Sequence, residues 1–331
     1  MKKLLIAALA AFAIGTSGAA HAQDADYVLN TASTGGTYHP VGTAIATLSK
    51  IKLLPKQKFS LTAVNSAGSA ANVQDLASGS ADFAILQGLF GSYAATGTGP
   101  VSEPQENLRA VTMLWQNVEQ FVMAKDMATT GTAADLVTLE GKAVGMGRSN
   151  SGTLGSNTVL LAGLGVDVGA MDNFDGGYGP TADQLANGGI IAAGIPSGPP
   201  TGAITRLMAS NGDDFVILDV TDEERAKMDG GRNLWVPYTI EAGTYPGQDK
   251  DVNTIAQSNF LAVNASVDEE HVYQLTKTMY ENLDFLTAIH PATRAMSIEV
   301  ALAGLPVPLH PGAARYYKEV GVEIPDALMA K

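Results

Sequence analysis

The feature that most constrains this chain is an alternation of strand-like and helix-like segments that begins near the N-terminus and restarts halfway along. Tyr27–Ala32 reads as a strand, and Val41–Ile51 as a helix with apolar residues at helical spacing. Phe59–Val64 is a second strand, Ser69–Ala77 a helix and Asp82–Leu86 a third strand. Short links join them, the pattern of a parallel sheet covered by helices on both faces. The pattern resumes with a strand at Ala143–Met146, helices at Ser151–Leu164 and Pro180–Ala186, and a strand at Ile190–Ile195. A long amphipathic helix is expected at Asp268–Ala288, with Val272, Leu275, Met279, Leu283 and Leu286 on one face.

Two α/β units in one chain predict two lobes with a cleft between them. Leu108–Lys125 is the expected first crossover, because its apolar stretches can supply strands to both lobes. Trp235–Thr244 is the expected second. The resulting division is a leader at 1–22, lobe 1 at 23–115 plus 241–331, and lobe 2 at 116–240.

The leader is read from its own chemistry. Lys2 and Lys3 form a short basic segment, Leu4–Ile14 is an apolar run too short to span a bilayer, and Ala20-His21-Ala22 supplies a small-x-small cleavage signature. Cleavage after Ala22 would leave Gln23 as the mature N-terminus. There is no Cys to carry a lipid anchor or a disulfide, so the expected location is free in the periplasm. No later segment is apolar for 18 residues, so nothing else is expected to span a membrane. Removing Lys2 and Lys3 lowers the basic count from 20 to 18 against 33 acids, a net charge of −15. Such a surface repels nucleic acid and anionic lipid. It also repels an anionic ligand at long range, so any anion site must act through local dipoles.

Catalytic patterns fail one by one. The four histidines after the leader, His39, His271, His290 and His310, show no paired metal spacing, and no Cys exists for a structural zinc. There is no G-x-S-x-G elbow. Gly141-Lys142 is followed by Ala143, which breaks the phosphate-loop pattern, and Asn150 stands where the dinucleotide fingerprint beginning at Gly145 needs Gly or Ala. The expectation is a protein that is not an enzyme, with no cofactor and no metal.

Small polar loops between strands and helices are the candidate ligand site. Ser33-Thr34-Gly35-Gly36-Thr37-Tyr38 follows the first strand and opens a helix. Its glycines let the backbone approach a ligand, and free N–H groups at the helix start can hold a carboxylate. In an ordinary capped helix the same Ser and Thr would serve only the backbone. Ser149-Asn150-Ser151-Gly152-Thr153 repeats the device in the second unit, so two helix starts would face each other across a cleft. Asn65-Ser66-Ala67-Gly68, Gln87 and Ser197-Gly198-Pro199 occupy equivalent strand ends. Arg148 is the one cation beside these loops and could hold a carboxylate through two parallel hydrogen bonds.

Four motifs, in order, resemble the TAXI family of TRAP-transporter solute receptors along nearly all the chain after the leader. They are Thr31–Gly42 (TASTGGTYHPVG), Ala143–Gly147 running on to Ser151–Thr153, Ala242–Gln248 (AGTYPGQ) and Leu305–Tyr317 (LPVPLHPGAARYY). The resemblance implies a type II periplasmic-binding-protein fold that closes by hinge motion, no catalysis, and a membrane permease partner driven by an ion gradient. It places the ligand among the first motif, the Asn65 loop, Gln87, the Ser151–Thr153 loop and the Gly198–Pro200 turn. Pro308, Pro311 and Gly312 are expected to punctuate turns of a scaffold in which Tyr316 and Tyr317 pack on the first lobe. There is one departure: Arg148-Ser149-Asn150 stands where the family carries small residues or Pro, and Leu154 where an acid is common. Both changes favour a more anionic ligand. The expected ligand is a small organic acid such as 2-oxoglutarate, glutamate or a C4-dicarboxylate, bound by a monomer. A receptor that presents its ligand to a membrane sensor kinase would use the same lobes.

Overall fold

The computed structural model describes residues 24–330, and the expected leader at 1–22 lies outside them. Strands β1 (Ala25–Asn30), β2 (Phe59–Val64), β3 (Phe83–Gln87) and β4 (Leu108–Val118) come first. After them come β5 (Phe121–Ala124), β6 (Ala143–Gly145), β7 (Asp172–Asn173), β8 (Ala192–Gly194) and β9 (Phe215–Ile217). β10 (Val236–Ile240) and β11 (Val252–Asn264) complete the set. One sheet has the order β10-β11-β3-β1-β2, with β4 also paired to β11, and the other has the order β7-β6-β8-β5-β9. Two α/β lobes result, as the restarted alternation predicts.

The sheets are mixed where alternation alone predicts parallel pairing. β1 lies parallel to β2 and β3, but β11 runs antiparallel to β3, β4 and β10. In the second sheet β6 is parallel to β7 and β8, while β5 is antiparallel to β8 and β9. The cause is the crossing of the chain. β1 and β3 end at the cleft, whereas β11 returns from the other lobe and must enter the sheet from the cleft side.

The first crossover falls inside the expected segment. β4 leaves the first lobe at Val118 and β5 enters the second at Phe121, with only Glu119 and Gln120 between them. Val118 exchanges both backbone hydrogen bonds with Ser197, at 3.0 and 2.9 Å. The return crossing uses β10 and the start of β11. Hydrogen bonding puts β10, and so residues 236–240, in the first sheet. Ile240, Tyr245, Val252 and Ala256 nevertheless pack into the core of the second lobe.

Local chemistry explains the elements that carry the site. The Tyr38–Lys52 helix buries Val41, Ala44, Ile45 and Leu48, a stripe at helical spacing that lies on the first sheet. All five residues of β3 are buried, since both faces of a central strand are covered. The long helix expected at 268–288 is two helices, Glu269–Tyr280 and Leu283–Ile289. Asn282 breaks it: its backbone is not helical, and its side-chain amide donates to the Thr278 carbonyl at 2.8 Å. The apolar face survives the break, because Val272, Leu275, Met279 and Leu286 are all buried. Tyr317 donates its hydroxyl to the Val111 carbonyl at 3.0 Å, and Tyr316 stacks on Tyr280, so the last helix is tied to the first lobe.

Candidate functional site

Four helices begin at one cavity, two from each lobe. They are Tyr38–Lys52 and Ser69–Ser78 from the first, and Gly152–Gly163 and Tyr178–Ala186 from the second. Their first residues, Tyr38, Ser69, Gly152 and Tyr178, all line the cavity, as does Gln87 just before the Gly88–Thr96 helix. Helix starts carry backbone N–H groups without intrahelical acceptors and a partial positive charge. Arg148 also lines the cavity, and no Asp or Glu does. None of the ion pairs among the described residues involves Arg148. In a chain with 33 acids, the cleft between the lobes is therefore locally positive. Its chemistry suits an anion.

Most of the expected residues meet here. Ser33, Gly36, Thr37, Tyr38 and Gln87 line the cavity, joined by Arg148, Ser151, Gly152, Thr153 and Ser197 from the second lobe. The others stand outside the lining for identifiable reasons. Thr34 is exposed, and Gly35 accepts a hydrogen bond from the Ala203 N–H of the second lobe at 3.0 Å. Asn65 is exposed and donates its amide to the Ala32 carbonyl at 2.9 Å. Ser66 donates to the Thr31 carbonyl at 2.9 Å and accepts from the Gly68 N–H at 3.0 Å. Asn65 and Ser66 thus hold a turn instead of facing the cavity. Gly198 spends its N–H and carbonyl on the Thr37 hydroxyl, at 3.1 and 2.9 Å, with Pro199 behind it. Ser151 lines the cavity, but its hydroxyl donates to the Arg148 carbonyl at 2.6 Å and accepts from the Leu154 N–H at 3.0 Å, so it serves its own helix cap.

Sequence reasoning missed Tyr178, Ser69 and Asn117. Tyr178 follows Gly176-Gly177, the same Gly-Gly-before-helix device as the first motif, so a signal was there. Its hydroxyl donates to the Pro196 carbonyl at 2.5 Å and lies 2.7 Å from the Thr153 hydroxyl. Burial pushes that phenol well above its ordinary pKa, so it stays neutral. Ser69 opens its helix and accepts from the Gln87 N–H at 3.1 Å. Asn117 lies near the end of β4 among apolar neighbours in sequence, and only the fold brings it to the cavity.

The lobes are closed on one another. Ala71 of the first lobe donates its N–H to the Asn150 carbonyl of the second at 3.1 Å. A Cβ on Gly36 would come within 2.9 Å of the Tyr178 ring, and one on Gly152 within 2.9 Å of both Gln87 and Ser69. Glycine at these two positions permits the approach. The centres of water-sized atoms have about 30 Å³ of space within the cavity.

Both crossings meet at a buried polar cluster. The Trp235 indole N–H donates to Glu119 at 3.1 Å, and the Thr254 hydroxyl donates to the Glu119 carbonyl at 2.7 Å. Burial pushes the Glu119 carboxyl up to about 8, and its hydrogen bonds offset only part of that. Gln120 donates to the Thr201 hydroxyl at 3.0 Å and accepts from the Tyr245 hydroxyl, whose own pKa burial raises to about 12.

This fold is found in solved structures of low sequence identity. A protein of Bordetella bronchiseptica RB50 shares 16% identity at a TM-score of 0.53, over 92% of this chain and 91% of that one. PhnD1 of Prochlorococcus marinus (MIT 9301), in complex with methylphosphonate, shares 13% at 0.50, over 81% and 90%. A binding protein component of an ABC phosphonate transporter from Pseudomonas aeruginosa shares 11% at 0.50, over 83% and 80%. At these identities the likeness establishes the architecture, a two-lobed type II periplasmic-binding-protein fold with mixed sheets. The NMT1-like family matches residues 29–321, nearly the whole of the described chain, and the chain belongs to that family.

Proposed function

We propose that this protein is a periplasmic solute receptor that closes around a small organic acid and delivers it to a membrane permease. One observation carries the reading: helix N-termini from both lobes converge on a cavity whose single charged lining residue is Arg148. Of its fold relatives, one is solved with methylphosphonate and another is a component of a phosphonate transporter, which supports an anion as cargo. The basic-apolar leader and its small-x-small signature support export, with cleavage after Ala22. No helix among the described residues is long and apolar enough to cross a membrane. The four motifs that resemble TAXI receptors support an ion-gradient-driven TRAP permease as the partner and a role without catalysis; docking on a permease is simplest for a monomer. 2-Oxoglutarate, glutamate and C4-dicarboxylates are the acids the sequence favours.

A thermal-shift screen of mono- and dicarboxylic acids, oxo acids, amino acids, sugars and divalent cations tests the class of ligand. A bound ligand raises the melting temperature with its concentration relative to Kd. An organic acid is expected to give the largest shift. A shift from sugars or cations with none from any acid would overturn the reading.

A further inference from the structure

Resting on that reading, we infer that the cleft is built for a short 2-hydroxy acid: a carboxylate held by the helix starts and Arg148, and a neutral hydroxyl read by Asn117. The larger acids named above fit this site less well.

Three independent observations lead there. The first is charge. The lining presents helix N-termini and one guanidinium, with no carboxylate to receive an ammonium. An amino acid would bring its positive nitrogen into a cavity with nothing to neutralise it, at a large desolvation cost. The nearby buried acid, Glu119, does not line the cavity and already accepts from Trp235.

The second is an unpaired amide. Asn117 is 0% exposed and lines the cavity, yet neither its Oδ1 nor its Nδ2 has a hydrogen-bond partner among the described residues. Gln87, 3% exposed, has its Oε1 in the same condition. Buried amides left without partners are rare in folded proteins, because each lost hydrogen bond destabilises the fold. Asn117 offers a donating –NH2 and an accepting oxygen whichever way its amide is turned. An alcohol hydroxyl also donates and accepts, so it can satisfy both halves. A ketone only accepts and leaves the amide oxygen bare, and a C–H does neither. A second carboxylate would likewise only accept, opposite an amide oxygen that needs a donor.

The third is size. The space left in the closed cleft is small, about 30 Å³ for the centres of water-sized atoms. A two- or three-carbon hydroxy acid asks less adjustment of the lobes than a longer acid does. A five-carbon dicarboxylate would need them held apart, against the close approaches at Gly36 and Gly152.

The test is a calorimetric comparison of four acids on one carbon skeleton: lactate, propionate, pyruvate and alanine, with succinate and 2-oxoglutarate alongside. Lactate should bind tightest, with propionate and pyruvate weaker by about 10- to 100-fold and alanine weaker still. In Asn117→Leu, lactate should fall to the affinity of propionate while propionate changes little. Pyruvate or propionate binding as tightly as lactate, or alanine binding more tightly, overturns the inference. Binding of succinate or 2-oxoglutarate with none of the four also overturns it, while the organic-acid receptor stands. If no acid of either set binds, both fall. Should Asn117→Leu not fold, the four-acid comparison on the unaltered chain decides alone.

Discussion

The hydroxyls of Thr37 and Ser197 lie 2.9 Å apart across the cleft, one from each lobe, and the Thr37 hydroxyl also bridges the N–H and carbonyl of Gly198. Both side chains are buried and line the cavity, so this latch is part of the candidate site. On the proposed function, closing the lobes and holding the ligand are coupled events. A bond made only in the closed form stabilises the form that holds the ligand.

Removing the latch tests that coupling. Thr37→Val keeps the shape of the side chain but leaves Ser197 and the Gly198 N–H without their partner, at a cost of about 1–3 kcal/mol in the closed form. Ligand affinity should fall by about 10-fold or more, and X-ray scattering of the ligand-free protein should show a larger radius of gyration. Unchanged affinity and radius would mean that the contact is incidental.

Arg148 is tested by charge removal. Arg148→Ala should weaken binding of an acid ligand by roughly 1.5–3 kcal/mol if the contact is a charge-assisted hydrogen bond. The affinity should also become less sensitive to salt. Calorimetry that finds the same Kd in variant and parent would leave the helix N-termini as the whole of the anion site.

Gly155 separates closure from folding. It lies inside the Gly152–Gly163 helix, and a Cβ there would meet the buried Phe90 ring of the other lobe at 2.5 Å. Alanine is intrinsically better than glycine in a helix by up to about 1 kcal/mol, so the open form should gain stability while the closed form is blocked. Gly155→Ala should therefore bind ligand at least about 10-fold more weakly with no loss of ligand-free melting temperature. A parallel fall in both would mean that the two lobes never part at this contact.

Glu119 predicts the pH dependence of stability. Its carboxyl is raised from 4.5 to about 8 in the folded chain, so the folded state holds a proton that the unfolded state releases between those values. Stability should fall as pH rises through that window, by a few kcal/mol at about 1.4 kcal/mol per unit, and level off above it. Glu119→Gln removes the ionisation and should flatten the melting-temperature profile, with its largest gain over the parent near pH 8–9. A variant whose profile keeps the parent's slope would place the titration elsewhere.

By itself the sequence determined the elements of the fold and most of the loops of the site. Phe59–Val64 carries its strand pattern locally, the apolar stripe of the Tyr38–Lys52 helix is periodic, and Gly-rich runs before helices mark chain that can approach a ligand closely. These features depend on neighbours a few residues away, so they survive in one dimension. Tertiary structure decided the rest. Asn65 and Ser66 have the composition of ligand residues, but the backbone of the Ala32 turn takes their hydrogen bonds. Asn117 looks like a polar interruption of an apolar strand, yet the pairing of β4 with β11 carries it to the cavity with its amide unpaired. The antiparallel pairing of β3 with β11, the Thr37–Ser197 latch and the Glu119–Trp235 contact all join residues more than 100 positions apart. Such contacts follow from where the chain crosses between lobes, and no local pattern records that.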